Sequence, residues 1–135
     1  MAKIDAAKLW DLNYRLLMAV IVNVAPSISA LGLETKELFV LAQVDEHQHP
    51  AALAATLSMP KPSITVNLKR LESAGFVRRE IDATDLRRHR LIVTPAGRKV
   101  LTRGLALLSD AFGERLARLT AKEQAELLAL MEKLS

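Results

Sequence analysis

Residues 68–97 read LKRLESAGFVRREIDATDLRRHRLIVTPAG, and the spacing of apolar residues changes within this stretch. The helical spacing at its start stops at Gly75, a residue that commonly follows the C-terminus of a helix. From Phe76 onward the pattern alternates with period two, and the apolar run LIV follows a charged connection. This pattern predicts a helix over about residues 61–74 and a β-hairpin over residues 76–93 with a charged tip.

Helical signals surround this stretch on both sides. His49-Pro50 and Thr94-Pro95 each have the pattern of a helix cap followed by proline at the first helical position. Pro26 and Gly32 are expected to end the first helix. The predicted helices lie at about residues 5–24, 35–46, 50–57 and 61–74, with a long helix from Pro95 and a last one from the capping-box match at Thr120.

The order of elements is therefore four helices, a hairpin and two further helices. This order predicts a mainly α protein with a small β-hairpin wing, an α+β winged helix-turn-helix. The chain of 135 residues suits a single domain over residues 1–135. In such a fold the fourth helix enters the major groove of DNA, and the hairpin reaches the adjacent minor groove.

Positive charge is concentrated in the same part of the chain. The formal net charge of the whole sequence is +4. Residues 1–60 hold four basic and six acidic residues, residues 61–94 hold eight and four, and residues 95–135 hold seven and five. A basic segment that coincides with the helix and the hairpin indicates an anionic partner such as nucleic acid.

Several classes of function have no support in the sequence. There is no cysteine, which excludes disulfides, thiol catalysis and cysteine-based metal sites. We find no paired catalytic carboxylates, nucleophile–base pair or glycine-rich phosphate loop, so neither enzyme activity nor a cofactor is expected. The longest apolar run, Leu16–Ala25, is about half as long as a bilayer span, and the N-terminus lacks a signal-peptide pattern. A soluble cytoplasmic protein without membrane association is the expectation.

Two groups of side chains are candidates for contact with DNA. Short hydroxyl side chains in the helix can approach base edges, and the basic residues there can neutralise phosphates. Arginine in the hairpin suits the narrow, electronegative minor groove. The predicted contacts are Lys61, Pro62, Ser63, Thr65, Val66, Lys69 and Arg70 in the helix and Arg87, Arg88 and Arg90 in the hairpin. Asp85 is expected to orient Arg87. The same residues have an alternative interpretation. The polar face of the helix would then be solvated, and the charges of the hairpin tip would pair with each other.

The stretch resembles the multiple antibiotic resistance regulator (MarR) family of dimeric winged-helix transcription factors. The matching residues are Leu71-Glu72, Gly75-Phe76-Val77, Asp82, Asp85, Arg87 and Thr94-Pro95-Ala96-Gly97. The match extends upstream through Leu53-Ala54 and Leu31-Gly32-Leu33, and the helix order agrees over nearly the whole chain.

The resemblance implies a homodimer whose first and last helices, at about residues 5–30 and 95–135, interlock beside a DNA-binding lobe at about residues 34–94. It implies a palindromic operator, with Arg87 as the minor-groove arginine and Asp85 as its acidic partner. It also implies a small aromatic or phenolic effector that favours dimers with mis-spaced recognition helices, as expected of a ligand-responsive repressor. Trp10 and Tyr14 are candidates to line the effector pocket, with core or interface packing as the alternative.

Four positions depart from the family pattern. Leu86 stands where many members have arginine, and Pro62 stands where a small hydroxyl residue is common. Val66 and Asn67 stand where a basic residue and a leucine are often found. These departures keep two other hypotheses open. One is a winged-helix protein-interaction module with weak or lost DNA binding, and the other is an architectural DNA binder without a specific operator.

The sequence His47-Gln48-His49 has some features of a metal site because it follows Asp45 and Glu46. The two histidines, however, are only two residues apart in a loop without cysteine. This spacing favours a polar turn and helix cap, so no metal is expected.

Overall fold

The computed structural model describes residues 3–135, which form six helices and one antiparallel two-stranded sheet. The elements are α1 (Ala6–Ser29), α2 (Thr35–Gln43), α3 (Pro50–Leu57), α4 (Lys61–Ser73), β1 (Val77–Ile81), β2 (His89–Val93), α5 (Pro95–Leu116) and α6 (Ala121–Leu134). The predicted order of elements and the mainly α winged-helix fold are confirmed. The first two residues of the N-terminus, on which the signal-peptide expectation partly rests, lie outside the described residues.

The prediction that α1 ends at Pro26 is wrong, because the helix continues to Ser29. Proline lacks an N–H, so the hydrogen bond to the carbonyl of Val22 is lost, and its ring crowds that carbonyl. Val22 is 66% exposed, and water can therefore reach that face of the helix. Val24 and Ile28 are buried, and this burial stabilises the turns on either side of the proline. Gly32, with a φ of +98°, lies in the connection to α2, as predicted.

The second helix is shorter than predicted, since α2 ends at Gln43 and a turn follows. The N–H of Val44 donates to the carbonyl of Leu41, three residues back, so the chain tightens at the helix end. At the other end, Glu37 is buried and its carboxylate accepts the N–H of Glu34 at 2.8 Å. This capping box explains a buried carboxylate at the start of α2.

Residues 25–105 form one compact unit. Within it, α4 packs against α2, α3 and β1. Its buried apolar side chains are Ile28, Leu33, Leu38, Val40, Leu41, Val44, Leu53, Ala54, Ile64, Leu68, Leu71, Val77, Leu91 and Leu101. Most are aliphatic, as the scarcity of aromatic residues in the sequence requires.

Two glycines of α5 permit close packing in this unit. A Cβ atom at Gly97 would lie 2.0 Å from the carbonyl oxygen of Phe76, at the start of the hairpin. A Cβ atom at Gly104 would lie 2.6 Å from a methyl group of Leu38 on α2. The hydroxyl of Thr94 accepts the N–H of Gly97 at 3.0 Å, which confirms the predicted cap of α5.

Residues 3–24 and 106–135 belong to a second compact unit. Thr120 and Glu123 form the predicted capping box at the start of α6, where each side chain accepts the other residue's backbone N–H. No residue of α6, which the structure describes completely, is buried. Large apolar side chains are exposed on two helices of this unit: Leu9, Trp10, Leu12, Tyr14, Leu17 and Val22 on α1, and Leu128, Leu130, Met131 and Leu134 on α6.

The length and hydropathy of α1 alone meet the criterion for a bilayer span. The helix also carries Lys8, Asp11 and Arg15, and the last two form an ion pair at 2.9 Å. An apolar helix that packs against another protein chain satisfies the same criterion. Helix length and composition therefore give weak evidence for a membrane.

Candidate nucleic-acid interface

The helix-turn-helix consists of α3 and α4, joined by a short turn. Ser58 has a left-handed φ of +51° at the end of α3, and Pro60 precedes the first residue of α4. Ile64, Leu68 and Leu71 are buried on one side of α4. The recurrence of these residues at helical spacing fixes which side of the helix faces outward.

The outward face of α4 carries most of the side chains predicted to bind DNA. Lys61, Pro62, Thr65, Val66, Lys69 and Arg70 are exposed, and Ser63 is half-buried. Asn67, the other departure from the family pattern on this helix, is buried. Within the described residues, none of the three cations on this face forms an ion pair with an acid. Their charge is therefore available to an anionic partner.

The arginines on the two strands of the hairpin have acidic partners. Arg78 and Arg90 both bind the carboxylate of Glu80, the latter at 3.1 Å. Arg79 binds Glu72, at the end of α4, at 2.6 Å. The hydrogen bonds from Arg78, and then from Arg90, lower the pKa of Glu80 below its ordinary value. These three arginines stabilise the hairpin and its attachment to α4, and of the three only Arg90 was predicted to contact DNA.

The tip of the hairpin presents the remaining two arginines, Arg87 and Arg88. The side chain of Arg87 is 93% exposed, and its Nε lies 3.5 Å from Asp85 Oδ1. The same oxygen accepts the backbone N–H of Arg87 at 3.0 Å, so Asp85 holds the turn more closely than it holds the guanidinium. Arg88 forms no ion pair within the described part of the chain. Leu86, beside them, is 78% exposed.

Asp82 closes the tip from the other side. Its carboxylate accepts hydrogen bonds from the hydroxyl of Thr84 at 2.7 Å and from the N–H of Thr84 at 2.9 Å. These two bonds are the main cause of a lowered pKa for Asp82, and the nearby charges of His49 and Arg88 lower that pKa further. The N–H of Asp82 donates to the carbonyl of Arg88 at 2.9 Å. The turn that bears the two exposed arginines is therefore closed by hydrogen bonds at both ends.

A link between the hairpin and α3 was missed by the sequence analysis. His49 precedes α3, but its side chain makes no helix-capping hydrogen bond. Its Nε2 lies 3.4 Å from Asp82 Oδ2, and its Nδ1 lies 3.3 Å from the carbonyl oxygen of His89. The carbonyl of Gln48 also accepts the N–H of Leu91 at 2.8 Å. These contacts tie the hairpin to the helix-turn-helix, and no local sequence signal identifies pairs so far apart in the chain.

The remaining candidate residues lie elsewhere. His47 Nε2 lies 3.3 Å from the hydroxyl of Thr56, so the two histidines of the loop point to different partners. No cluster of three or more metal-ligating side chains is found among residues 3–135. Trp10 and Tyr14 are 67% and 50% exposed on α1, in the second compact unit.

A surface cavity of about 450 Å³ lies beside the C-terminal part of α4. It is lined by Gly32, Glu37, Lys69, Arg70, Ser73 and Ala74. Lys69 and Arg70 thus border both this cavity and the outward face of the recognition helix. The cavity was not predicted, because Gly32 and α4 are distant in sequence.

Comparison with known proteins decides the family. Residues 31–88 match the model of the MarR family. The HTH-type transcriptional repressor Rv2887 of Mycobacterium tuberculosis is 32% identical over 132 residues, which cover 96% of this chain and 95% of the relative. The chain belongs to the MarR family. The transcriptional regulator HosA of Escherichia coli is 36% identical over 83 residues, or 62% of each chain. The predicted family is confirmed, and the chain is a winged-helix transcriptional regulator.

Solved structures of MarR-family proteins have the same fold. Rv2887 in complex with DNA has a TM-score of 0.79 and 29% identity, covering 98% of this chain and 99% of that one. Rv2887 in complex with salicylic acid has a TM-score of 0.77 and 29% identity, covering 98% of each chain. Apo MarR from Escherichia coli, with a TM-score of 0.80, is 24% identical and supports the fold alone.

Proposed function

We propose that this MarR-family regulator binds a palindromic operator as a homodimer and acts as a ligand-responsive repressor. The observation that carries the proposal is the distribution of charge in residues 25–105. The outward face of α4 presents cations without ion-pair partners in the described residues, and Arg87 at the hairpin tip is 93% exposed and contacts Asp85 only at 3.5 Å. The neighbouring strand arginines are instead held by Glu80 and Glu72. Such a surface matches a helix in the major groove and a wing in the adjacent minor groove.

The contacting residues divide into two roles. Lys61, Lys69 and Arg70 bind phosphates and orient α4, while Pro62, Ser63, Thr65 and Val66 face base edges. Arg87 enters the minor groove, where the guanidinium is favoured by the strong negative potential. Arg88 binds a flanking phosphate and compensates for the arginine that Leu86 replaces. Arg90 contributes less, because Glu80 already binds its guanidinium.

Homodimerisation is supported by the exposed apolar side chains of α1 and α6. A monomer rarely exposes so many large apolar side chains on two helices, and burying them against a second copy removes them from water. Residues 5–30 and 95–135 would form this interface, beside a DNA-binding lobe at residues 34–94. A two-fold dimer presents two equivalent recognition helices, which is why the operator should be palindromic.

The effector we propose is a small aromatic or phenolic acid. The cavity at α4 supports this class because Lys69 and Arg70, which line it, can bind a carboxylate. A relative of this chain has been solved with salicylic acid. An effector held by these two cations would draw them away from DNA phosphates and lower operator affinity. Trp10 and Tyr14, which are exposed on α1, are candidates for an effector pocket, with packing at the core or at an interface as the alternative.

The protein would act by binding alone, without catalysis, in the cytoplasm where DNA is accessible. Selection of bound duplexes from a random pool, using the full-length protein, tests this proposal. We expect a palindromic consensus whose half-sites lie about 10 base pairs apart. Recovery of unrelated duplexes with similar affinity would indicate an architectural binder instead.

A winged-helix protein-interaction module is the alternative function. It is favoured by the exposure of Val66 and Leu86, two apolar side chains on the surface proposed to meet DNA. A module of this kind would yield no enriched duplex in the selection. The same surface would then bury its apolar side chains against a protein partner.

A further inference from the structure

The outward face of α4 lacks hydrogen-bonding groups at its centre. Pro62 and Val66 lie opposite the buried side chains of this helix, about 40° apart around its axis. Val66 is 52% exposed, and Pro62 is exposed as well. Neither side chain can donate or accept a hydrogen bond, so neither can read a base by the polar pairings that specify guanine or adenine.

Thr65 extends this apolar surface. Its hydroxyl donates to the carbonyl of Lys61 at 3.1 Å within the same helix, so the hydroxyl hydrogen is already used. Its methyl group is free to touch a partner. We define the apolar strip as Pro62, Thr65 and Val66.

Cations flank the apolar strip along the helix. Lys61 precedes it, and Lys69 and Arg70 follow it, all exposed and without ion pairs in the part of the chain that the structure describes. Phosphate contacts at both ends would press the strip against the floor of the major groove. The strip would then be the part of the helix closest to the bases.

The apolar group that a base pair offers in the major groove is the C5 methyl of thymine. We propose that Val66, supported by Pro62 and Thr65, reads thymine methyl groups in each operator half-site. This inference rests on the proposed function and extends it by naming the base that Val66 recognises. The position where the family commonly carries a basic residue thus becomes a specificity determinant for thymine.

Deoxyuridine substitution tests the inference, since uracil keeps every hydrogen-bonding group of thymine and lacks only the methyl. The probe is the duplex obtained by selection, with deoxyuridine placed at the half-site thymines. We expect wild-type affinity to fall about fourfold for each methyl group removed from a thymine that Val66 touches, or about fifteenfold when both half-sites change. Deoxyuridine at flanking positions outside the half-sites is the matched control and should leave affinity unchanged.

Substitution of Val66 assigns the effect to its side chain. Val66→Ala should bind the thymine duplex more weakly and should bind thymine and uracil duplexes almost equally. Val66→Thr, which keeps the branched shape and one methyl, should retain intermediate discrimination. Circular dichroism checks that both variants fold, as expected for an exposed position.

The outcomes separate this inference from the proposed function. Equal wild-type affinity for thymine and uracil duplexes would overturn the inference and leave operator binding intact. Wild-type discrimination that persists in Val66→Ala would overturn the assignment to Val66. Failure to select any duplex would overturn the proposed function itself and the inference with it.

Discussion

The recognition helix and the hairpin strands use positive charge in opposite ways. On α4, Lys61, Lys69 and Arg70 are exposed without acidic partners in the described structure. On the strands, Arg78, Arg79 and Arg90 are held by Glu80 and Glu72. The number of basic residues in a segment therefore does not by itself identify a DNA-binding surface. What matters is whether an acid lies within reach of each cation.

The hairpin tip shares the behaviour of α4, although it belongs to the same hairpin as the paired arginines. Asp82 and Asp85 accept backbone N–H groups of the turn, at 2.9 and 3.0 Å. Their carboxylates therefore shape the loop. Arg88 has no ion-pair partner in the described residues, and Arg87, whose side chain is 93% exposed, contacts Asp85 only at 3.5 Å. Substitutions at the base, on the strands and at the tip of the hairpin should therefore differ in their effects on stability and on operator affinity.

The largest effect is expected on stability, at the base of the hairpin, where Gly97 of α5 meets Phe76. Gly97→Ala would place a Cβ atom 2.0 Å from the carbonyl oxygen of Phe76, which forces α5 and the hairpin apart. We expect the free energy of unfolding to fall by about 3 kcal/mol, measured by urea denaturation. Operator binding should weaken too, because the hairpin tip loses its fixed position.

Gly113→Ala, in the same helix, is the matched control. Apart from its chain neighbours and the backbone of its own helix, no atom of the protomer lies within 4 Å of a Cβ placed there, so the expected change within the protomer is higher helix propensity. This variant should be more stable by roughly 0.5–1 kcal/mol. Equal stability of the two variants would show that the close approach at Gly97 is unimportant.

A smaller effect is expected on operator affinity, which should differ between substitutions at the hairpin tip and substitutions on its strands. Arg87→Ala should weaken operator binding by about 1–3 kcal/mol, because the exposed guanidinium is proposed to enter the minor groove. Arg79→Ala should leave operator affinity close to that of the wild type, since its guanidinium is engaged by Glu72. Fluorescence anisotropy with the selected duplex measures both. If Arg79→Ala weakened binding as much as Arg87→Ala, the strand arginines would contribute to operator affinity as much as the arginine at the tip, which would contradict the proposal.

Removing one cation of α4 should weaken DNA binding modestly, by an amount that does not depend on the DNA sequence. Lys69→Gln should weaken binding to operator and random duplexes alike, because a phosphate contact carries no sequence information. It should also reduce the slope of log affinity against log salt by about 1 for each phosphate that Lys69 neutralises in the wild type. Lys36→Gln, on α2, removes the same charge from an exposed side chain that lies outside both the proposed DNA contacts and the proposed dimer interface. It should leave the slope unchanged.

The smallest effect is expected on protein stability, from the ion pair between Arg98 and Asp45, which lies outside the proposed DNA contacts. A hydrogen bond from Arg98 lowers the pKa of Asp45, so the pair stabilises the folded state above the ordinary pKa of aspartate. That stability is lost as the pH falls through the lowered pKa of the folded state. Because both side chains are about half exposed, Arg98→Gln should lower the free energy of unfolding at pH 7 only slightly. Thermal denaturation should show the difference disappearing in strong acid, whereas a difference that persists there would rule out the ion pair as its cause.

Local signals in the sequence predicted most of the fold. Gly75, with a φ of +79°, ends α4 as expected, and Thr94 caps α5. The continuation of α1 through Pro26 was not predicted, because it depends on the burial of Val24 and Ile28 rather than on the proline itself.

The site was predicted less completely than the fold. The sequence pointed to the exposed face of α4 and to Arg87, but it could not divide the five hairpin arginines into paired and free ones. That division depends on the register of the strands, which sets Glu80 opposite Arg90. The contact of His49 with Asp82 and the cavity beside Lys69 likewise join segments that are distant in sequence.

The salt dependence of operator binding measures whether the cations of α4 and the hairpin tip contact phosphates. If Lys61, Lys69, Arg70 and Arg88 of each protomer bind phosphates in a dimer, a plot of log affinity against log salt between about 50 and 200 mM should be linear with a slope of about −7. A slope near zero with affinity retained would contradict the account, because binding would then depend on the apolar side chains and not on the free cations of α4 and the wing.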